Sequence, residues 1–264
     1  MAAMLHDHCA AAKLLSFLWT SLSTLPVNGF RFWKKTIKTK WDEEVTVSVT
    51  MIGKAGNVDC AVSCGKIFTN MRVGLAVLAG ICAGVKEKVS IGDVICPEGI
   101  IDYEGGRLTP DGIEKRPDPN PLERNIEREI AYFRPNVKIW RRDIKTNVKK
   151  LAKYEDIPKL RELTPQYHRD IILSGEKLLA DGKLPKMRKD YDERVRGAEM
   201  EGSGFAKACK ERDLNWLVFR GVSDYGDPDK PETEIWQTTA ATCAMTTVFD
   251  YIQRVYRKPE ALEF

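Results

Sequence analysis

VGLAVLAGICAGV, residues 73–85, carries no charge and shows no alternation of polar with apolar side chains. A run of this kind, bounded by glycines, predicts a strand buried on both faces, which is the habit of strands inside a parallel sheet. Upstream, Val45, Val47 and Val49 alternate with Thr46, Ser48 and Thr50, the period of a strand with one face in the core. Gly53 and Gly56 then break the pattern. Asn57 to Met71 reads as a helix whose apolar positions Val58, Ala61, Val62, Ile67 and Phe68 share one face. Strand, helix and strand in that order predict a parallel crossover and an α/β fold.

The rest of the chain repeats the alternation. An apolar segment spans Val94 to Ile101, and Asp102, Tyr103, Gly105 and Gly106 end it. The proline-rich stretch Pro110 to Pro121 reads as an irregular loop, the kind of excursion that walls a site. Asp170 to Leu173 is a short strand ending at Ser174 and Gly175, Gly202 to Arg212 is helical, and Trp216 to Phe219 is another buried strand. Thr233 to Tyr256 closes the chain as a long amphipathic helix. With no linker, repeat array or low-complexity segment, residues 1–264 read as one domain.

Basic and acidic residues number 42 and 38, a formal charge of +4, too balanced for a general nucleic-acid or membrane binder. The densest basic stretch, Arg134 to Lys153 with Trp140 and Tyr154 nearby, reads as a solvated surface rather than a phosphate site. Seven cysteines include no CxxC pair and no Cys/His cluster at zinc spacing, so no metal or other cofactor is implied and a reducing, cytoplasmic compartment fits. The start, MAAMLHDHCAAAKLLSFLW, carries Asp7, two histidines and Lys13 among its apolar residues. That excludes a signal h-region or membrane span and reads as a helix, with Ala10, Ala11 and Ala12 favouring that state.

Three motifs fall at the ends of predicted strands, where α/β folds collect ligands. In AGICAGV (79–85), Gly80 and Gly84 allow close approach of the backbone to a ligand, although tight packing of the strand against the following helix is the usual explanation of such a pair. In AEMEGSG (198–204), two carboxylates flank Met200 at the start of a helix. Glu201 can accept from both hydroxyls of a ribose, although either Glu199 or Glu201 can instead serve the helix N-terminus. In FRGVSDYGD (219–227), an apolar strand delivers Ser223 and Asp224 to a loop. Expelling a purine from an N-glycoside requires a proton on its five-membered ring, and a carboxyl group such as Asp224 can supply it. A turn or capping aspartate is the other reading.

In this order and spacing, the motifs resemble the purine nucleoside phosphorylase and nucleosidase superfamily, which includes the methylthioadenosine and adenosylhomocysteine nucleosidases. AGICAGV with the following VSIGDVI looks like the family's glycine-rich segment, and AEMEG and RGVSD look like its ribose and base motifs. The resemblance implies a three-layer α/β/α fold around a central mixed β-sheet. It places Met200 and Glu201 on the ribose, Ser223 and Asp224 at the base with Asp224 as proton donor, and Gly80, Cys82 and Gly84 beside the substrate. SGEKLLADG, from Ser174, resembles the segment that packs on the base, which puts Leu178 and Leu179 there. It also implies a homo-oligomer in which a neighbour completes the pocket.

The chain departs from the family pattern in two places. Ile81 stands where a hydroxyl often meets phosphate or the nucleophile, which favours water as nucleophile over phosphate. LHDHCAAAK looks like the segment after the family's first strand, yet that strand is lacking by this reading, and His8 replaces a water-activating glutamate. SDYGDPDK with EIWQTTAATCAM resembles phosphorylase-like domains of bacterial defence and fungal receptor-like proteins, some of which cleave ATP. On that reading Lys230 meets phosphate. The expectation is hydrolysis of an adenine nucleoside or nucleotide. Its rivals are a phosphorylase, and a degenerate nucleoside-sensing module motivated by His8 and the lacking strand.

Overall fold

The computed structural model describes residues 2–5, 29–151, 160, 162–228 and 233–257. The 73–85 run forms β4 (Ala76–Gly84), buried along most of its length, and the alternating valines form β3 (Glu44–Met51). Between them lies β1 (Ala2–Leu5), parallel to both, with Ala2 opposite Ser48 on one side and Ala76 on the other. The first strand is therefore present, and the expectation that it is lacking is overturned. The helix expected from residue 1 is corrected at the same place. Four residues of Ala, Met and Leu carry little strand propensity, and hydrogen bonding on both edges overrides it. Ala10 to Ala12 lie outside the described residues.

β2 (Trp33–Lys38) pairs antiparallel with β3, and α1 (Asn57–Thr69) leads from β3 back to β4. The crossover is as expected, but the buried face of α1 is not. Cys60, Cys64, Ile67 and Phe68 point inward, whereas Val58 and Val62 are 69% and 53% exposed. β5 (Val94–Ile95) and β6 (Gly99–Asp102) follow. The stretch expected to be an irregular loop is instead structured, with a hairpin of β7 (Gly106–Thr109) and β8 (Gly112–Lys115) and then β9 (Asp118–Pro121) antiparallel to β6. Two prolines are tolerated in β9 because it ends the sheet, where a missing N–H breaks no ladder on the outer side.

After α2 (Arg124–Ala131), the basic stretch forms α3 (Val137–Leu151), which buries Trp140, Ile144 and Val148 and presents most of its cations outward. β10 (Tyr167–His168), β11 (Ile171–Ser174), α4 (Leu184–Tyr191), β12 (Val195–Glu199), α5 (Gly202–Lys210), β13 (Trp216–Asp224) and α6 (Thr233–Arg254) complete the chain. The main path of the sheet runs β10-β5-β13-β4-β12-β11-β6-β9, with β1, β2 and β3 continuing it beside β4. β13 and β4 are parallel, β12 crosses β4 antiparallel at Gly197 and Ala198, and the sheet is mixed.

The period of a strand sorts the helices into layers. On β13, Trp216 meets Phe205 of α5 edge-on, whereas Phe219 meets Tyr251 of α6 and Gly221 faces the backbone of Ala240 in α6. Even and odd positions of a strand point to opposite faces, so α5 and α6 cover opposite sides of the sheet. α1 packs on α5, and α3 on α6. A Cβ at residue 221 would collide with the Ala240 carbonyl. We expect Gly221→Ala to cost about 3 kcal/mol as α6 is forced outward, read as a lowered unfolding midpoint in urea. An unchanged midpoint would show that the helix can move freely. No helix among the described residues is long and apolar enough to cross a membrane.

Candidate active site

The carboxyl ends of β4 and β13 meet the β12 to α5 turn around a cavity of about 360 Å³. β4 contributes Ile81, Cys82 and Ala83, the turn contributes Met200 and Glu201, and β13 delivers Ser223 and Asp224. Leu178 and Leu179, from the loop after β11, form another wall. Two acids 23 positions apart in the chain thus open onto one space, because β12 and β13 flank β4 in the same sheet and carry them to its two sides.

Each carboxylate has its own bonding. Asp224 Oδ1 accepts the N–H of Gly226 at 2.8 Å, and Ser223 Oγ lies 2.9 Å from Oδ2 and 3.2 Å from the Cys82 carbonyl. The single hydroxyl proton of Ser223 serves one of these acceptors at a time. The turn-forming and the chemical readings of Asp224 are therefore compatible, since one oxygen closes the turn while the carboxyl lines the cavity.

The AEMEG carboxylates divide their labour. Glu199 accepts the backbone N–H groups of Glu201, at 3.0 Å, and of Gly202, at 2.8 Å, and so serves the N-terminus of α5. Glu201 makes neither of those bonds; its Oε1 accepts the Gly56 N–H at 3.3 Å and its Oε2 accepts from Arg220 Nη2 at 3.0 Å. Both carboxylates line the cavity.

Arg220 was not among the residues expected at the site. Fully buried in β13, it donates from Nη2 to both Glu199 and Glu201. Burial works against its charge, but the two carboxylates outweigh that and hold its pKa above the ordinary value. The sequence held a signal: an arginine inside an apolar strand must find buried carboxylates, and AEMEG offers two.

Two further ties fix the frame. Asn57 Oδ1 accepts the Gly204 N–H at 2.8 Å and the Ser174 hydroxyl at 3.0 Å, joining α1, β11 and the start of α5. Glu176 Oε1 accepts the Val58 N–H at 3.2 Å, its own N–H donates to Glu104, and Lys177 at the cavity wall pairs with Glu104. At the end of β6, burial pushes Asp102 up, yet Lys207, the Glu104 N–H and the Ser203 hydroxyl hold it below the usual carboxylate range.

Of the residues singled out in the sequence, Met200, Glu201, Ser223, Asp224, Cys82, Leu178 and Leu179 line the cavity. Leu178 is 72% exposed and so forms the rim rather than a lid over a bound ring. Burial pushes the Cys82 thiol far up, so it offers the cavity a neutral, weakly polar surface. Gly80 and Gly84 stay off the lining. A side chain at Gly84 would strike Val89 and Val222, which is the packing reading of that glycine. His8 and Lys230 lie outside the described residues. Gln237 of α6 lines the cavity and was not anticipated.

Comparison with known proteins agrees with this architecture. The model of the phosphorylase superfamily matches residues 12–252. The ATP nucleosidase Cap17 of Escherichia coli is 27% identical over 256 residues, 92% of this chain and 48% of that protein, so the chain spans about half its length. The 5′-methylthioadenosine/S-adenosylhomocysteine nucleosidase of Staphylococcus aureus is 21% identical over 230 residues, covering 87% of this chain and 89% of the relative. Among solved structures, the corresponding nucleosidase of Neisseria meningitidis, in complex with methylthio-immucillin-A, superposes with a TM-score of 0.68 at 14% identity. That superposition covers 96% of this chain and 98% of the other. With the match running from residue 12 to residue 252, the chain belongs to the phosphorylase superfamily.

Proposed function

We propose that the chain hydrolyses the N-glycosidic bond of an adenine nucleoside or nucleotide and releases free adenine. The observation that carries this reading is the single cavity that Glu201 and Asp224 both line. Glu201 is held by Arg220 and the Gly56 N–H, and accepts from the ribose hydroxyls. Met200 packs on the sugar, and Leu179 flanks the base with Leu178 at the rim. Asp224, steadied by Gly226 and Ser223, gives a proton to the five-membered ring as the C1′–N9 bond breaks. The electron pair of that bond leaves with the base, and water adds to the sugar cation at C1′ and gives up a proton, which balances the one that Asp224 supplied. Orientation and fixed charge supply most of the rate.

The name of the Escherichia coli relative supports a nucleotide, ATP, as substrate, and the Staphylococcus aureus relative supports the nucleosidase chemistry. Ile81 on the cavity wall gives no hydroxyl to a phosphate nucleophile, which favours water. The lacking strand that motivated a degenerate sensing module is in place, which removes one ground for that rival.

An apolar cross-strand pair on the hairpin, Leu108 opposite Ile113, is 84% and 69% exposed, and Val58 and Val62 add exposed apolar surface on α1. Such surface supports a homo-oligomer. The described cysteines are all free and buried, in keeping with a cytoplasmic, reducing setting.

Chromatography of adenosine, methylthioadenosine and ATP incubated with the protein, with and without phosphate, tests the reading. We expect adenine from at least one of them at a rate unchanged by phosphate, with no 1-phosphorylated sugar. Phosphate-dependent release with a sugar 1-phosphate would establish the phosphorylase instead. Recovery of every substrate intact would remove the catalytic reading.

A further inference from the structure

A carboxylate meets both hydroxyls of a ribose only when its plane is fixed, and one hydrogen bond alone lets it pivot. Glu201 is held at both oxygens, at Oε2 by Arg220 Nη2 and at Oε1 by the Gly56 N–H. The second hold is a main-chain group, so its direction depends on the path of the backbone into α1. Gly56 stands there at φ 119° and ψ 147°, a conformation that residues with a Cβ rarely adopt. A Cβ at residue 56 would also meet Glu176 Oε2 at 2.7 Å.

The next side chain ties that backbone to the turn that carries Glu201. Asn57 is buried, and its Oδ1 accepts the Gly204 N–H at 2.8 Å and the Ser174 hydroxyl at 3.0 Å. Ser174 Oγ in turn accepts the Ser203 N–H at 3.1 Å. Ser203 and Gly204 follow Glu201 directly in the first turn of α5. The two helix starts approach so closely that a Cβ at Gly204 would collide with the Asn57 carbonyl. The donor and the acceptor of the Gly56–Glu201 bond therefore share one frame, and the Asn57 carboxamide links its two sides. Asn57 itself does not line the cavity.

We propose that Asn57 is a positioning residue for Glu201: through the Gly56 N–H it sets the aim of the carboxylate at the 2′- and 3′-hydroxyls of the substrate's ribose. The inference rests on the nucleosidase reading of the cavity and gives Asn57 no contact with the substrate.

The test is the ratio of kcat/KM for adenosine to that for 2′-deoxyadenosine, or for ATP to dATP where the nucleotide is the substrate. Both values come from one preparation, so a loss of folded protein cancels in the ratio, whereas a turned Glu201 costs the riboside more. In Asn57→Leu, similar in shape but without an acceptor, the ratio is expected to fall about tenfold, the cost of spoiling one hydrogen bond to a charged group. Asn57→Asp keeps an oxygen for both Gly204 and Ser174 and should restore most of the wild-type ratio. Gly56→Ala displaces the same N–H directly and should lower the ratio as Asn57→Leu does, which provides a second reading if the leucine variant does not fold. An unchanged ratio in either folded variant, or an aspartate variant as low as the leucine one, would overturn the proposal while leaving the nucleosidase reading in place. Wild-type protein that releases adenine from neither member of a pair would instead remove the nucleosidase reading, and this inference with it.

Discussion

Asp224→Asn is expected to lower the rate of adenine release by between about a hundredfold and ten-thousandfold, the usual cost of removing a positioned proton donor. Asparagine is nearly isosteric, and its carbonyl oxygen can still accept the Gly226 N–H that closes the turn. The melting temperature should therefore move little, while the group that supplies the proton is gone. Its amide can hydrogen-bond to the ring nitrogen but cannot transfer a proton to it, so kcat should fall far more than KM rises. A wild-type control sharpens this: 7-deazaadenosine lacks the nitrogen to be protonated and should resist cleavage. Near-normal turnover by the asparagine variant would remove Asp224 from the chemistry.

The second large effect concerns stability. Arg220 is the positive member of a buried group with Glu199 and Glu201. Removing one partner of such a group leaves uncompensated charge in a poorly solvated place, which costs about 3–5 kcal/mol. Arg220→Met should accordingly lower Tm by on the order of 10 °C for a chain of this size. The penalty belongs to the stranded carboxylates rather than to lost packing. Neutralising them as well, in the triple variant with Glu199→Gln and Glu201→Gln, should recover part of the loss. A single variant that melts with the wild type, or a triple variant that melts below the single one, would contradict that assignment. Activity should fall in both, since Glu201 then loses its charge or its hold.

Much of the fold was legible because burial leaves a simple trace. β3 alternates in sequence even though Ser48 and Thr50 on its polar face are buried as well, β4 and the first half of β13 are apolar on both faces, and α6 shows nearly its full length. The elements that went unread depend on partners distant in the chain. β1 is a strand because β3 and β4 take both of its edges, and nothing in Ala2 to Leu5 announces that. β9 is a strand despite Pro119 and Pro121 because it sits at the end of the sheet. The inward face of α1 follows the cysteines rather than the valines, because α5 packs where Asn57 lies against Gly204.

The site was legible in its acids and illegible in their division. Glu199 and Glu201 look alike in AEMEG and both line the cavity, and only the turn at the start of α5 shows that Glu199 serves the helix backbone while Glu201 does not. Gly80 and Gly84 invited a ligand reading that belongs to the three residues between them. Gln237 lies inside the EIWQTTAATCAM stretch, yet a single amide on a helix has no pattern that marks it for the cavity.

A co-crystal with an adenine C-nucleoside, whose carbon–carbon glycosidic bond cannot be hydrolysed, bears most directly on the convergence of the two acids. The expected result is one ligand in the cavity, its ribose hydroxyls within about 3 Å of Glu201 and its five-membered ring nitrogen within about 3 Å of Asp224. A ligand bound elsewhere, or one touching a single acid with the other turned away, would contradict it.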